Sequence, residues 1–241
     1  MECRLQLRMQ AQPTDTTCGP TCLHAVYDYF GDSISLQQVI DEVPVLESGG
    51  TLAVLLANHA LQRGYFATIY TYNVRLFDPT WFAPGGPDLR QRLEAQLRVK
   101  DNPRLRISTD AYLRFLDMGG RVRFEDLTRG LIRKYLNRGE PILTGLSATY
   151  LHRAARETGD DRPDDIRGEP AGHFVVLSGY DRESKTVNVA DPLAPSPLAE
   201  GHYYDININR VVCAVLLGIV TYDSNLLIVT PSPAGRRDVS R

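Results

Sequence analysis

Residues 12–22 read Gln12-Pro-Thr-Asp-Thr-Thr-Cys18-Gly-Pro-Thr-Cys22, and an apolar segment to Phe30 follows. The first part is rich in turn residues. The second carries Leu23, Val26, Tyr27 and Phe30 at helical spacing, with Gly31 as a stop. Cys18 therefore opens an apolar helix, expected over about Gly19 to Phe30. Unpaired N–H groups at a helix start favour a thiolate over a thiol. Pro20 suits a first turn because it brings no unsatisfied N–H, and Gly19 is expected to leave open space beside the sulfur. Gln12, six residues before the thiol, is placed to offer its amide to an oxyanion.

Far downstream, Gly172-His173-Phe-Val-Val-Leu177 puts a histidine at the start of an apolar strand. Val189-Ala-Asp191-Pro192 puts an acid at the end of the next, with Asp181-Arg-Glu-Ser-Lys185 as the hairpin turn between them. Two neighbouring strands can bring His173 and Asp191 within hydrogen-bond reach. Cys18 then reads as nucleophile, His173 as base, Asp191 as orienter of the imidazole and Gln12 as oxyanion donor. A lone cysteine is more often a buried structural residue. The glutamine spacing and the Cys-Gly-Pro-Thr-Cys-Leu context tip Cys18 towards the nucleophile.

Each position has rivals. Gln10 competes with Gln12, and Asp181 and Asp205 are the alternatives to Asp191. Asp15 reads as a turn residue or an acid on the site's rim. Cys22, one helical turn after Cys18, reads as core packing, since no compact His/Cys set accompanies it to bind zinc. His24, His59, His152 and His202 read as structural or solvent-facing.

The composition is that of an ordinary globular chain. Of 241 residues, 43% are hydrophobic and 23% charged, enough for one large domain or two small ones with a buried core. The net charge of −2 gives no argument for a nucleic-acid partner or an anionic membrane. No signal peptide is visible, and the longest apolar run, Val211 to Val220, is too short to span a bilayer. Four cysteines in a chain this long do not suggest a disulfide scaffold, so the thiols are expected reduced and the compartment cytoplasmic. No cofactor or metal site is legible.

Along the chain, residues 4–10 alternate as a short edge strand. Helices are expected at about Ser35–Val43 and Thr51–Arg63, and a strand at Phe66–Tyr72. Residues 74–120 read as an inserted helical subregion. In it Asp88 caps a polar helix to Val99, and Thr109 caps another to Met118. A helix lining one face with Leu127 to Leu136 ends at Gly139, and Pro141–Leu146 is a buried strand. Residues 152–171 are a charged, solvated loop. Strands follow at His173–Tyr180, Thr186–Ala190 and His202–Ile206, then a helix near Arg210–Leu217 and a strand at Leu226–Thr230. Residues 1–230 are expected to form one domain, with 231–241 a disordered tail. Helices dominate the first half and antiparallel strands the second, which argues for an α+β fold.

These residues resemble the bacteriocin-processing, or double-glycine leader, cysteine peptidases and their stand-alone relatives. The matching pieces are Gln12-x5-Cys18-Gly-Pro-Thr-Cys22-Leu, Tyr29-Phe30-Gly31, Gly172-His173-Phe-Val-Val-Leu-x-Gly179-Tyr180 and Val189-Ala-Asp191-Pro192. The likeness covers about 11–50 and 125–195. It implies a papain-like fold and thiol hydrolysis of a peptide, with Cys18, His173, Asp191 and Gln12 in the roles given above. No P-loop and no transporter span accompany these pieces on the chain, so the implied enzyme is a stand-alone peptidase. An acyl or peptidyl transferase using the same thiol and a silent peptide-binding module are the alternatives.

Overall fold

The structure is a computed structural model that describes residues 2–47, 49–160 and 162–232. The part of the expected disordered tail from residue 233 on lies outside the described residues. The helices are α1 (Cys18–Tyr29), α2 (Leu36–Glu42), α3 (Ala53–Gln62), α4 (Leu89–Val99), α5 (Pro103–Asp117), α6 (Arg129–Leu136), α7 (Ala148–His152) and α8 (Ile208–Leu217). The strands are β1 (Glu2–Arg4), β2 (Tyr65–Thr71), β3 (Arg121–Arg123), β4 (Ile142–Ser147), β5 (Gly172–Asp181), β6 (Thr186–Ala190), β7 (Tyr203–Asn207) and β8 (Asn225–Pro231).

Local chemistry sets most helix starts. Side-chain oxygens of Ser35, Asp88, Asn102 and Thr128 accept from backbone N–H groups of their first turns. Gly31 and Gly139 take φ of 80° and 73° just past α1 and α6, conformations that favour glycine. Thr109 is not a cap. It lies fully buried inside α5, which starts earlier because Asn102 caps it and Pro103 fits its first turn.

The strands join in the order β3-β2-β8-β4-β5-β6-β7, and β1 pairs with the far end of β5. Pairing is antiparallel except between β2 and β3. The last strand, β8, sits in the middle, hydrogen-bonded to β2 on one side and β4 on the other. The fold is α+β, as expected, but its halves are less segregated than the sequence suggests. β1 and β2 come from the first half, and α6 to α8 from the second. The edge strand expected over 4–10 is shorter and earlier. Past Arg4 the alternation persists as burial, with Leu7 and Met9 inside, but not as strand pairing.

Side-chain alternation along β5 divides the core. Phe174 and Val176 pack with α1 to α5, while Val175 and Leu177 pack with α6 and α8 on the other face. Residues 74–120 share the first of these cores. Tyr112 and Phe115 of α5 are buried there, and Tyr112 meets Phe77 edge-on at 4.8 Å between ring centroids. Each fully buried large apolar side chain contributes about 1.5–3 kcal/mol. The two sandwiched layers therefore hold β5, and the histidine at its start, in a fixed position.

Candidate active site

Cys18 is the first residue of α1, and 8% of its surface is exposed. Thr17 makes no side-chain cap to the first turn. Its hydroxyl donates to the Thr14 carbonyl at 2.8 Å and accepts from the Thr14 N–H at 3.0 Å. The helix start is thus not neutralised by a capping side chain, and its positive end lies at the sulfur. Gly19 does not leave open space beside the thiol, as the sequence suggests. A Cβ there would stand 2.7 Å from Thr51 Cγ2 and 3.2 Å from both Leu56 and Phe174. The glycine lets α1 press onto α3 and β5, which brings Cys18 to the histidine strand. Cys22 is fully buried, and its thiol donates to the Phe174 carbonyl at 3.3 Å. Burial pushes its pKa well up, with Cys18 and Asp191 adding to the effect.

His173, at the start of β5, donates from Nε2 to Asp191 Oδ1 at 2.7 Å and lines the same cavity as Cys18, whose thiol acts on it electrostatically. Its Nε2 is taken by the acid, which leaves Nδ1 for the thiol. The β5–β6 ladder ends at the Val176–Ala190 pair, so Asp191 leaves the sheet beside the first residues of β5. Its backbone is clamped by His202, whose carbonyl accepts from Asp191 N–H and whose Nδ1 meets the Asp191 carbonyl, each at 2.8 Å. Its carboxylate is fully enclosed. Oδ1 also accepts from Leu193 N–H at 2.9 Å, and Oδ2 accepts from Tyr204 Oη at 2.8 Å.

The electrostatics follow from these partners. Burial alone would discharge both groups. Burial lowers the His173 pKa, but the hydrogen bond to Asp191 and the influence of the Cys18 thiol outweigh it and raise that pKa well above a free imidazole's. Burial raises the Asp191 pKa, but the nearby His152 imidazole and the bond from His173 hold it below the usual carboxylate range. The pair therefore favours imidazolium beside carboxylate, the charge state that supports a thiolate.

Gln12 lies on the wall of a cavity of about 810 Å³ together with His152 and His173. Its backbone N–H donates to the Pro192 carbonyl at 3.0 Å, which ties the segment before the thiol to the one after the acid. Its Nε2 donates to the Thr14 carbonyl at 3.1 Å. Gln10 is exposed. A second cavity of about 410 Å³ is lined by Cys18, His173, Gly49, Gly50, Thr51 and Asp223. Asp15, read from sequence as a turn or rim acid, lines both cavities.

The fallback acids go elsewhere. Asp181 holds the β5–β6 turn by accepting from Ser184, and Asp205 pairs with Arg4 and Asn188. His24 is buried on α1, and His59 bridges Tyr27 and Glu42. His152, read from sequence as structural or solvent-facing, is not solvent-facing. It is buried, with Nε2 3.4 Å from Asp191 Oδ2. The charged loop is also more ordered than its composition suggests. Glu157 pairs with both Glu169 and Pro163, and the loop walls the larger cavity. Among the described residues no three His, Cys, Asp or Glu converge as metal ligands. No described helix is long and apolar enough to cross a membrane.

Residues 105–211 match the model of the Peptidase_C39 like family, a stretch that includes His173 and Asp191. No curated protein matches the chain. Among solved structures, a protein described as a C39-like peptidase from Bacillus anthracis aligns at 15% identity. That alignment covers 96% of this chain and 98% of the other, with a TM-score of 0.48. A double glycine motif protease from an AMS/PCAT transporter, solved with its leader peptide, aligns at 15% identity over 95% and 94%, with a TM-score of 0.45. Xylellain, a cysteine protease from Xylella fastidiosa, aligns at 12% identity over 96% and 86%, with a TM-score of 0.44. Over residues 105–211 the chain is thus similar to the Peptidase_C39 like family, a stretch that leaves out Cys18 and Gln12.

Proposed function

We propose that this protein is a cysteine peptidase that hydrolyses a peptide bond through Cys18, His173, Asp191 and Gln12. The observation that carries the reading is that His173, held by Asp191 at 2.7 Å, lines the same cavity as Cys18. Cys18 attacks the scissile carbonyl carbon as thiolate. His173, holding the thiol's proton, passes it to the leaving amine, and an acyl-enzyme remains. Water then attacks the thioester while His173 takes its proton, releasing the acid and restoring the thiol. The second amide hydrogen of Gln12 and the N–H groups at the start of α1 stabilise the oxyanion in both steps.

The substrate is a peptide or protein segment. The two cavities meet at His173, so room exists on both sides of the reacting bond. Residues 1–230 act as one peptidase unit, with 74–120 as an insertion. The reading places it in the reducing cytoplasm, where its four free cysteines would stay reduced.

The test is mass spectrometry of a peptide library incubated with wild type and with Cys18→Ala. Cleavages confined to the wild type support the reading, and identical patterns refute it. Trapping the acyl-enzyme and offering amines or thiols separates hydrolysis from transfer. Product carrying the added acceptor in preference to water would make the protein a transferase.

A further inference from the structure

The 153–171 loop leaves the body of the protein at one histidine and returns just before another. His152 is the last residue of α7, and its side chain is 5% exposed. Its Nε2 lies 3.4 Å from Asp191 Oδ2, and its ring centroid lies 6.0 Å from that of His173. The neck of the loop is closed beneath it. Ala148 N–H donates to the Ala171 carbonyl and Ala171 N–H to Thr149 Oγ1, each at 2.9 Å. Arg153 then turns the chain away with a left-handed φ of 52°. An arginine rarely adopts that conformation without surrounding structure to hold it.

We propose that His152 is a positioning residue that holds the second oxygen of Asp191 and so fixes the acid against His173. This rests on the cysteine-peptidase reading of the same site. A carboxylate has about four lone-pair directions. At Asp191, His173 and Leu193 N–H take Oδ1, while Tyr204 and His152 share Oδ2. A neutral imidazole facing a carboxylate must present N–H, because a lone pair there would be repelled. At 3.4 Å the contact is longer than a well-formed hydrogen bond. Contacts of this kind tighten once the site is occupied. Without His152, Tyr204 alone restrains Oδ2. The carboxylate can then rotate, and the imidazole loses its alignment to Cys18. His152 also links the cavity-walling loop to the acid, because it lines the same cavity as Glu157, Thr158 and Glu169.

The experiment is the rate of Cys18 alkylation by iodoacetamide as a function of pH, in wild type, His152→Phe, His152→Gln and Asp191→Asn. His152→Phe fills the space without a donor. It is expected to slow Cys18 by about tenfold, the loss of a hydrogen bond to a charged group, and to move the pH profile towards that of Asp191→Asn. His152→Gln keeps an N–H without titrating, and is expected to recover to within about threefold of wild type. A His152→Phe variant with the wild-type rate and profile would overturn the proposal. If that variant does not fold, nitrogen NMR of the wild-type imidazoles decides. Neutral His152 carrying its proton on Nε2 supports the assignment, and a proton on Nδ1 refutes it. A wild type whose Cys18 shows no preferential alkylation would instead sink the peptidase reading itself.

Discussion

Asp191, bonded to His173, and Asp223, on the wall of the cavity that His173 lines, are both buried carboxyls, and their surroundings give them opposite charge behaviour. Asp191 faces two imidazoles, a phenol and a backbone N–H, and its pKa is held below the ordinary range. Asp223 accepts from Ala53 N–H at 2.8 Å and Asn225 Nδ2 at 2.5 Å. Burial outweighs these two bonds and pushes its pKa up to about 7. Burial alone therefore does not set the charge of a buried acid; the number and charge of its donors do. Asp191 is suited to orient a cationic imidazole. Asp223 is suited to a structural task, capping α3 from a distance where Leu52, the residue at the cap, has no side-chain donor or acceptor to offer.

The largest expected break in that comparison is catalytic. Asp191→Asn should slow Cys18 alkylation and any confirmed peptide cleavage by roughly 10²–10⁴, because the amide misdirects the imidazole tautomer. Asp223→Asn should have a far smaller effect. Equal losses in the two variants, measured side by side, would mean that Asp191 has no special role. Next in size, Gln12→Ala should slow cleavage of a confirmed peptide by roughly 10²–10³ while leaving Cys18 alkylation near wild type. Gln10→Ala should change neither. A Gln12→Ala enzyme with normal turnover would move the oxyanion site elsewhere.

Two smaller effects concern stability. Gly19→Ala should cost about 1–3 kcal/mol in urea unfolding, since the new methyl would press on Thr51, Leu56 and Phe174. It should slow Cys18 as well, because the helix can relieve the clash only by backing away from β5. The last prediction separates the two aspartates by pH. The Asp191 pKa is depressed in the folded protein. Its stabilisation is therefore present above about pH 4 and lost as the pH falls through the folded value. The Asp223 pKa is raised to about 7. The native state then holds a proton that the unfolded chain has released, and this contribution declines as pH rises from about 4 to about 7. Asp223→Asn should flatten that decline by on the order of 1–3 kcal/mol, and Asp191→Asn should flatten only the acid limb. Urea midpoints across pH would expose the reverse assignment.

Much of the fold was legible because its signals are local. Ser35, Asp88 and Gly31 mark helix ends by their own chemistry, and apolar runs mark β5 and β6. Thr109 misled because a buried threonine and a capping threonine look alike in sequence. Asn102 followed by Pro103 was the stronger signal. Gly19 misled for a related reason: sequence shows a missing side chain but not which neighbours occupy its place. At the proposed site, Cys18, His173 and Asp191 could be put forward from sequence because each sits at the end of a regular element. His152, Tyr204 and Asp223 could not. Each reaches its partner only through the packing of α7, β7 and β8 against the rest of the sheet, and residues far apart in sequence carry no local mark of it.

The most direct test of the central claim is thiol mapping on the native protein. Iodoacetamide is applied from about pH 5 to about pH 9, and mass spectrometry reads the rate at Cys3, Cys18, Cys22 and Cys213. The account predicts that Cys18 labels first and already reacts near pH 6, although it is more enclosed than Cys213. It also predicts that His173→Ala abolishes that advantage. A Cys18 that labels no faster than Cys3 or Cys213 at every pH would contradict it.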